Sequence, residues 1–261
     1  RIGDIKIIRM TDTRQRVLAL LGEFPEQSFM LKELAEAAEV TTSVVKGLVK
    51  LGAVAEHATP QDMPFPMLDP SLPSKKLSDD QEAAVEYLKG NEAGYSTTLL
   101  KGVTGSGKTE VYLEAVAACL KQGRQALVLL PEIALTSEFL TRVEARFGAR
   151  PAEWHSGVTM TERRRTWKMV GQGNAQMVVG ARSALFLPFQ DLGLIVVDEE
   201  HDISYKQEDG VLYNARDMAV LRASLVGGKV VLASATPSLE SWENVESGKY
   251  RKIDLKSRFG V

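Results

Sequence analysis

The stretch 96-STTLLKGVTGSGKTEVYL-113 decides the fold. Its first seven residues are typical of a buried strand, and the amphipathic run that starts at Glu110 predicts a helix. Between them, Gly102 to Thr109 match the pattern G-x4-G-K-[ST] of a phosphate-binding loop, although a glycine-rich turn can match it by chance. Backbone N–H groups and the helix N-terminus would face phosphate oxygens. We therefore predict nucleotide binding by Gly102, Thr104, Gly105, Ser106, Gly107, Lys108 and Thr109, with the Thr109 hydroxyl on magnesium.

Four further apolar runs follow the loop, separated by amphipathic helical stretches. They are QALVLL (125–130), AQMVVG (175–180), GLIVVD (193–198) and KVVLAS (229–234). Short apolar runs that alternate with helices predict an α/β domain with a parallel sheet. In such sheets ligands bind beyond the carboxyl ends of the strands. The polar residues that end these runs are therefore expected at one edge.

An acidic cluster, Asp198, Glu199 and Glu200, comes directly after the fourth of these five runs. Beside a phosphate-binding loop, Asp198 is expected to hold magnesium, and Glu199 to orient or deprotonate the attacking water. We expect His201 to link this strand end to the neighbouring one at Ser234 to Thr236. The alternative is a solvated strand end without a catalytic role.

The amino-terminal part of the chain has a different texture. Residues 13–57 show helical apolar spacing that predicts three helices and a short strand, and residues 34–54 resemble a helix-turn-helix that Thr41 or Thr42 could cap. Residues 1–60 contain 8 basic and 8 acidic residues, so this segment has no net charge. A protein-binding role and a DNA-binding role are therefore equally compatible with its sequence. Residues 61–76 are proline-rich and predict a linker.

Composition limits the remaining function classes. The 261 residues carry a formal net charge of −2, so any polyanion must bind to a local patch. The single cysteine, Cys119, excludes an internal disulfide and suits a reducing cytoplasm. The apolar runs are too short to span a membrane. We expect a cytoplasmic protein that does not act in the membrane.

Six motifs together resemble the bacterial replication-restart DNA helicases, which belong to helicase superfamily two. They are GVTGSGKTEVYL, LPEIALT, HSG, GARSALFLPF, DEEHDISYKQEDGVLYNARD and SATPSLES, and the resemblance covers residues 77–261. It implies an α/β fold in which a RecA-like lobe at 77–261, with a P-loop and a parallel sheet, follows a winged-helix domain at 1–60 and a linker at 61–76. It also implies ATP and Mg²⁺ as cofactors, unwinding from three-prime to five-prime, and replication restart with primosome assembly at stalled or abandoned forks.

The same resemblance implies partners and missing parts. Single-stranded DNA, forked DNA, primosome proteins and single-strand-binding protein are the expected partners of a monomer. The second motor lobe and a zinc module are expected outside this chain. We therefore expect residues 1–261 alone to bind nucleotide weakly, and neither to unwind DNA nor to show DNA-stimulated hydrolysis.

Individual roles follow from the motif matches. Gln81 in LSDDQ would read the adenine edge, although a helix capped by Ser78 also explains the motif. The resemblance assigns DNA contact or coupling to Thr136, His155, Ser156, Arg182, Tyr205, Lys206, Tyr213, Arg216, Ser234 and Thr236. A packed loop histidine at His155 and tyrosines buried beneath a surface loop are the alternatives. The basic run ERRRTWK (162–168) is more typical of an exposed helix face than of a DNA contact.

Two other functions are compatible with parts of the sequence to different degrees. A scaffold whose affinity for DNA or a partner depends on nucleotide, without turnover, uses the same motifs. A P-loop kinase is disfavoured because no phosphate-gripping lid is evident and SATPSLES has no role in one.

Overall fold

The computed structural model describes residues 10–23, 29–56, 63–90 and 94–256. Residue contacts divide the chain into two compact units, residues 1–61 and 62–261. Within the described ranges, no helix is both long and apolar enough to cross a membrane.

The first unit contains three helices around a small apolar core. They are α1 (Asp12–Glu23), α2 (Leu31–Ala37) and α3 (Thr42–Lys50). Val17, Leu34 and Leu48 are among the buried residues that hold them together. Thr41 precedes α3 in an extended conformation, although its side chain forms no capping hydrogen bond. The winged-helix assignment stays a prediction beyond these helices, because the expected wing ends at His57, outside the described residues.

The second unit is an α/β fold. Its helices are α4 (Asp79–Lys89), α5 (Lys108–Lys121), α6 (Ser137–Phe147), α7 (Met160–Gly171), α8 (Ala215–Val226) and α9 (Leu239–Glu246). Its strands are β1 (Ser96–Gly102), β2 (Gln125–Leu129), β3 (Ala152–Trp154), β4 (Met177–Gly180), β5 (Leu192–Asp198), β6 (Lys206–Gln207), β7 (Tyr213–Asn214), β8 (Lys229–Ser234) and β9 (Arg251–Leu255). Strands β6 and β7 form a separate small hairpin.

The main sheet is parallel throughout, with the strand order β3-β4-β2-β5-β8-β1-β9. All five strands predicted from apolar runs are present. Strands β3 and β9, which form the two edges of the sheet, are not among the predicted strands. The first has three residues, and the second is largely exposed and carries charges, so neither shows a buried apolar run.

Helices cover both faces of the sheet, as a doubly wound fold requires. One apolar core lies beneath α4, α5 and α6, and the other beneath α7 and α8. Strand β8 lies between β1 and β5, and it pairs Ser234 with Lys101 and Ala233 with Asp198. This register places the phosphate-binding loop, the acidic cluster and the SATPSLES segment at the same edge.

Residues 63–76, here called the strap, belong to the second unit. Leu68 is buried, and its backbone N–H donates to Gln176 Oε1 at 2.7 Å. Arg146 donates to the carbonyl of Leu72 at 2.9 Å. The described part of the predicted linker is therefore anchored on the α/β unit, through the buried Leu68 side chain and through backbone groups that hydrogen-bond to Gln176 and Arg146.

Candidate functional site

The loop between β1 and α5 has the backbone of a phosphate cradle. Gly105 and Gly107 both have φ of +82°, in the left-handed region that favours glycine. At Gly107 a Cβ atom would also overlap Gln81 Nε2. The path of the backbone therefore requires glycine at these positions. The same path leaves the N-terminus of α5 open toward a ligand.

Two side chains brace the loop from beneath. Lys108 is buried, and its Nζ donates to the Gly102 carbonyl at 2.9 Å. Gln81 Nε2 donates to the Ser106 carbonyl at 2.9 Å, and its Oε1 accepts from the Ser78 backbone N–H at 2.9 Å. Gln81 therefore connects the cap of α4 to the loop, and the adenine contact assigned to it stays a prediction.

Asp198, at the end of β5, is held through three of its atoms. Tyr112 donates its hydroxyl to Oδ2 at 2.9 Å, and the Glu199 backbone N–H donates to Oδ1 at 3.0 Å. The Tyr205 hydroxyl lies 2.6 Å from the Asp198 carbonyl oxygen. Burial raises the pKa of Asp198, while the hydrogen bond from Tyr112 and the charge of Lys108 act in the opposite direction. A half-buried carboxylate of this kind is stabilised by a positive partner when it is ionised.

Glu199 and His201 begin the turn after β5. Glu199 has φ of +45°, an unusual conformation for a residue with a side chain, and its side chain is 41% exposed. Its Oε2 lies 3.7 Å from His201 Nδ1. That nitrogen lies 2.8 Å from Ser234 Oγ, which also accepts from the Thr236 backbone N–H at 3.0 Å. The link that the sequence predicts between the ends of β5 and β8 is therefore present.

The loop and the acidic edge line one cleft of about 480 Å³. Its walls include Thr104, Gly105, Gly107, Lys108, Thr109, Asp198 and Glu199. Hard oxygen donors such as a threonine hydroxyl and a carboxylate suit Mg²⁺, and glycine N–H groups with a lysine suit phosphates. The side chains of this cleft therefore fit a magnesium nucleotide.

Three charged residues of this cleft were missed by the sequence analysis. Lys75 of the strap and Arg142 of α6 lie 3.5 and 3.8 Å from Glu110 Oε1. All three line the cleft. No motif marks them, because the strap and α6 reach α5 only in the folded chain.

A larger cavity, of about 740 Å³, lies around Ser96, Lys229 and Cys119. Ser96 and Lys229 begin β1 and β8, so this cavity lies at the amino ends of the strands. Ligands of open parallel sheets bind at the carboxyl ends. The smaller cleft is therefore the candidate site.

Glu200 has a structural role that separates it from its two acidic neighbours. Its side chain is fully buried and accepts hydrogen bonds from the Ser238 backbone N–H at 2.7 Å, the Ser238 hydroxyl at 2.9 Å and the Ser241 hydroxyl at 2.8 Å. Arg216 Nη1 lies 3.5 Å from the same carboxylate. The third carboxylate of the cluster thus anchors α9 to the end of β5.

The structure gives no support to the DNA contact assigned to Arg216, which stays a prediction. The Arg216 side chain is 7% exposed and is paired with Glu200, Asp217 and Glu240. It also donates to the Ser238 hydroxyl at 2.6 Å. A guanidinium paired and buried in this way has no free face for a phosphate.

The structure places Tyr205 in the core rather than on a surface where it could stack on bases, and its role in DNA contact or coupling stays a prediction. Its side chain is buried, and its hydroxyl lies 3.0 Å from the Leu129 carbonyl as well as against Asp198. Tyr213 is half-buried with its ring edge against Phe186, at a centroid distance of 5.1 Å. The alternative of tyrosines packed beneath the loop therefore describes Tyr205.

Arg182 holds the loop around Tyr205 in place. Its Nη1 donates to the Ser204 carbonyl at 3.1 Å and to the Lys206 carbonyl at 2.9 Å. Lys206 itself extends into solvent beside Glu208, at 3.3 Å. Arg182 thus organises the loop, and Lys206 keeps an accessible charge.

The remaining predicted DNA-side residues lie on turns after β2 and β3. The Thr136 side chain caps α6 by accepting from the Phe139 backbone N–H at 3.3 Å. His155 Nε2 lies 3.2 Å from Glu153 Oε2, and its Nδ1 accepts from the Gly157 backbone N–H at 3.2 Å. Ser156, between His155 and Gly157, is exposed. Their roles in DNA contact stay predictions.

Comparison with known proteins gives relatives over nearly the whole chain. The chain is 40% identical over 279 residues to "Replication restart protein PriA" of Rickettsia felis, covering 99% of this chain and 42% of that protein. The protein of the same name from Bacillus subtilis is 40% identical over 259 residues, covering 96% and 32%. This chain therefore spans less than half the length of these relatives.

Solved structures and a family comparison add to these relatives. The helicase MrfA bound to DNA has a TM-score of 0.49 and 18% identity, covering 70% of this chain and 27% of its own. The Pyrococcus furiosus Hef helicase domain has a TM-score of 0.49 and 19% identity, covering 67% and 37%. The DEAD/DEAH box helicase family pattern matches residues 78–245, which is more than half of the chain. The chain belongs to the DEAD/DEAH box helicase family.

Proposed function

We propose that this chain supplies the nucleotide-binding lobe of an ATP-dependent DNA helicase that acts in replication restart. The observation that carries the proposal is a single cleft lined by both the phosphate-binding loop and the acidic end of β5. The name that the relatives share, replication restart protein, supports the biological setting.

We propose a specific role for each of four side chains that line the cleft. Lys108 exchanges the Gly102 carbonyl for the outer phosphates of ATP, because a buried ammonium needs an acceptor in either state. Thr109 and Asp198 would hold Mg²⁺, which when bound would supply positive charge to neutralise the phosphates. Glu199, exposed at the rim, orients the attacking water and accepts its proton.

DNA binding is coupled to this cleft through the two segments that follow β5 and β8. The loop that carries Lys206 continues from Tyr205, whose hydroxyl contacts the Asp198 carbonyl. The turn that carries Thr236 is joined to His201 through Ser234. A strand of DNA that contacts Lys206 or Thr236 therefore acts on the residues that hold the metal and the water.

The wider assembly is also part of the proposal. Single-stranded and forked DNA, primosome proteins and single-strand-binding protein are its partners, and the helicase acts as a monomer in the cytoplasm. Residues 1–60 form a winged-helix domain ahead of the motor. A second motor lobe completes the cleft, which on this lobe is open to solvent.

The test is ATP hydrolysis by the full-length protein with and without forked DNA, using Lys108→Ala as the blank. We expect DNA-stimulated hydrolysis in the wild type. Glu199→Gln should bind nucleotide normally but hydrolyse it roughly a hundredfold more slowly, as expected for a lost general base.

Two results would contradict the proposal. Near-normal hydrolysis by Glu199→Gln would remove the water-activating role from that residue. Nucleotide binding without any turnover above the Lys108→Ala blank would favour the scaffold.

A further inference from the structure

We propose that Tyr112 is a positioning residue for Asp198, whose carboxylate it holds in the orientation that binds the Mg²⁺ of a bound nucleotide. The inference rests on the proposed function, because it assumes that the cleft binds a magnesium nucleotide. It assigns a role to a residue that the motif comparison left out.

The first support is geometric. Tyr112 lies on α5, four residues after Lys108, and its side chain is completely buried. Its hydroxyl is 2.9 Å from Asp198 Oδ2, while the Glu199 backbone N–H is 3.0 Å from Oδ1. Both carboxylate oxygens are therefore fixed, one by the helix after the phosphate-binding loop and the other by the turn after β5.

The direction of the hydrogen bond follows from the two groups. An ionised carboxylate oxygen can only accept, so the Tyr112 hydroxyl donates the hydrogen bond to Asp198 Oδ2. An ionised carboxylate accepts at about four lone-pair positions, so the contacts from Tyr112 and Glu199 leave acceptor capacity for the metal or its water.

The expected effect follows from other metal sites. Residues that hydrogen-bond a metal-binding carboxylate typically contribute about 10- to 100-fold to metal affinity or activity. Tyr112→Phe removes the hydroxyl but keeps the ring that fills the core. Its effect should therefore fall on magnesium rather than on the nucleotide itself.

The experiment is a Mg²⁺ titration of mant-ADP binding to the full-length protein, followed by fluorescence. For Tyr112→Phe we expect the half-saturating Mg²⁺ concentration to rise about tenfold. Binding of mant-ADP in EDTA should stay within about twofold of wild type. The control is Tyr95→Phe. It removes a tyrosine hydroxyl that accepts a hydrogen bond from Thr97, at the end of β1 away from the cleft.

A second variant tests whether the effect passes through Asp198. On an Asp198→Asn background, Tyr112→Phe should cause no further rise in the half-saturating Mg²⁺ concentration. The inference is overturned if the tyrosine variant matches wild type, if it weakens binding equally in EDTA and Mg²⁺, or if its effect persists on that background. If wild type itself shows no Mg²⁺-dependent nucleotide binding, the proposed function fails first.

Discussion

Replacing Glu200 by Ala tests whether the third carboxylate of the acidic edge is structural while its neighbour Glu199 is chemical. In the folded chain the buried Glu200 side chain accepts from Ser238 and Ser241 and faces the Arg216 guanidinium at 3.5 Å. Alanine would leave those donors buried without their common acceptor. We therefore expect a large loss of stability.

The magnitude follows from the contacts that remain. Removing one partner of a buried ion pair costs about 3–5 kcal/mol in the free energy of unfolding. Arg216 keeps Asp217 at 2.8 Å, so we expect the lower end, about 3 kcal/mol. For a unit of this size that corresponds to a fall in melting temperature of roughly 6–12 °C.

Urea unfolding followed by tryptophan fluorescence measures this loss. Trp154, Trp167 and Trp242 are the tryptophans of the chain, and all belong to the second unit, so their signal reports on that unit. Glu199→Ala is the matched control. Its side chain is 41% exposed, and its substitution should change stability by no more than about 0.5 kcal/mol.

The comparison between the two variants can refute the reasoning. A Glu200→Ala protein as stable as wild type would show that the buried network contributes no net stability. Equal losses in both would show that the turn, rather than the buried carboxylate, is what each substitution disrupts.

Three further predictions concern the loop, the strap and the core. Gly107→Ala should weaken nucleotide binding, measured with mant-ADP, by more than tenfold, because an alanine is strained at a φ of +82° and its Cβ would displace the Gln81 side chain that braces the loop; binding within tenfold of wild type would contradict this. Arg146→Ala should destabilise the second unit by about 3–5 kcal/mol in urea unfolding, because it leaves Glu114 buried and frees the strap; a loss below about 1 kcal/mol would show that the strap is held elsewhere. Burial raises the pKa of the Cys119 thiol to about 12, so it should react with a thiol reagent at pH 8 only after unfolding; rapid labelling of the native protein would contradict its burial.

Much of the architecture could be predicted from local pattern. The five central strands have continuous apolar runs because both faces of a parallel sheet are covered, and the structure contains all five. The edge strands β3 and β9 lack that pattern, since one is very short and the other is exposed. A continuous apolar run in the sequence indicates a strand that is buried on both faces. A strand at the edge of the sheet, with only one neighbouring strand, lacks such a run.

The residues of the site also fall into two groups, those that local sequence identifies and those that only the folded chain brings together. The sequence by itself determined the phosphate-binding loop, because glycines at fixed spacing are required by backbone conformation, and it determined the acidic edge, because Asp198 follows a buried strand directly. Only the tertiary structure decided that Tyr205 is buried and that Tyr112 holds Asp198, a contact between residues 86 positions apart. A tyrosine can stack in solvent or donate from a core, and which of these it does depends on the elements that pack against it, a property that no short stretch of sequence contains.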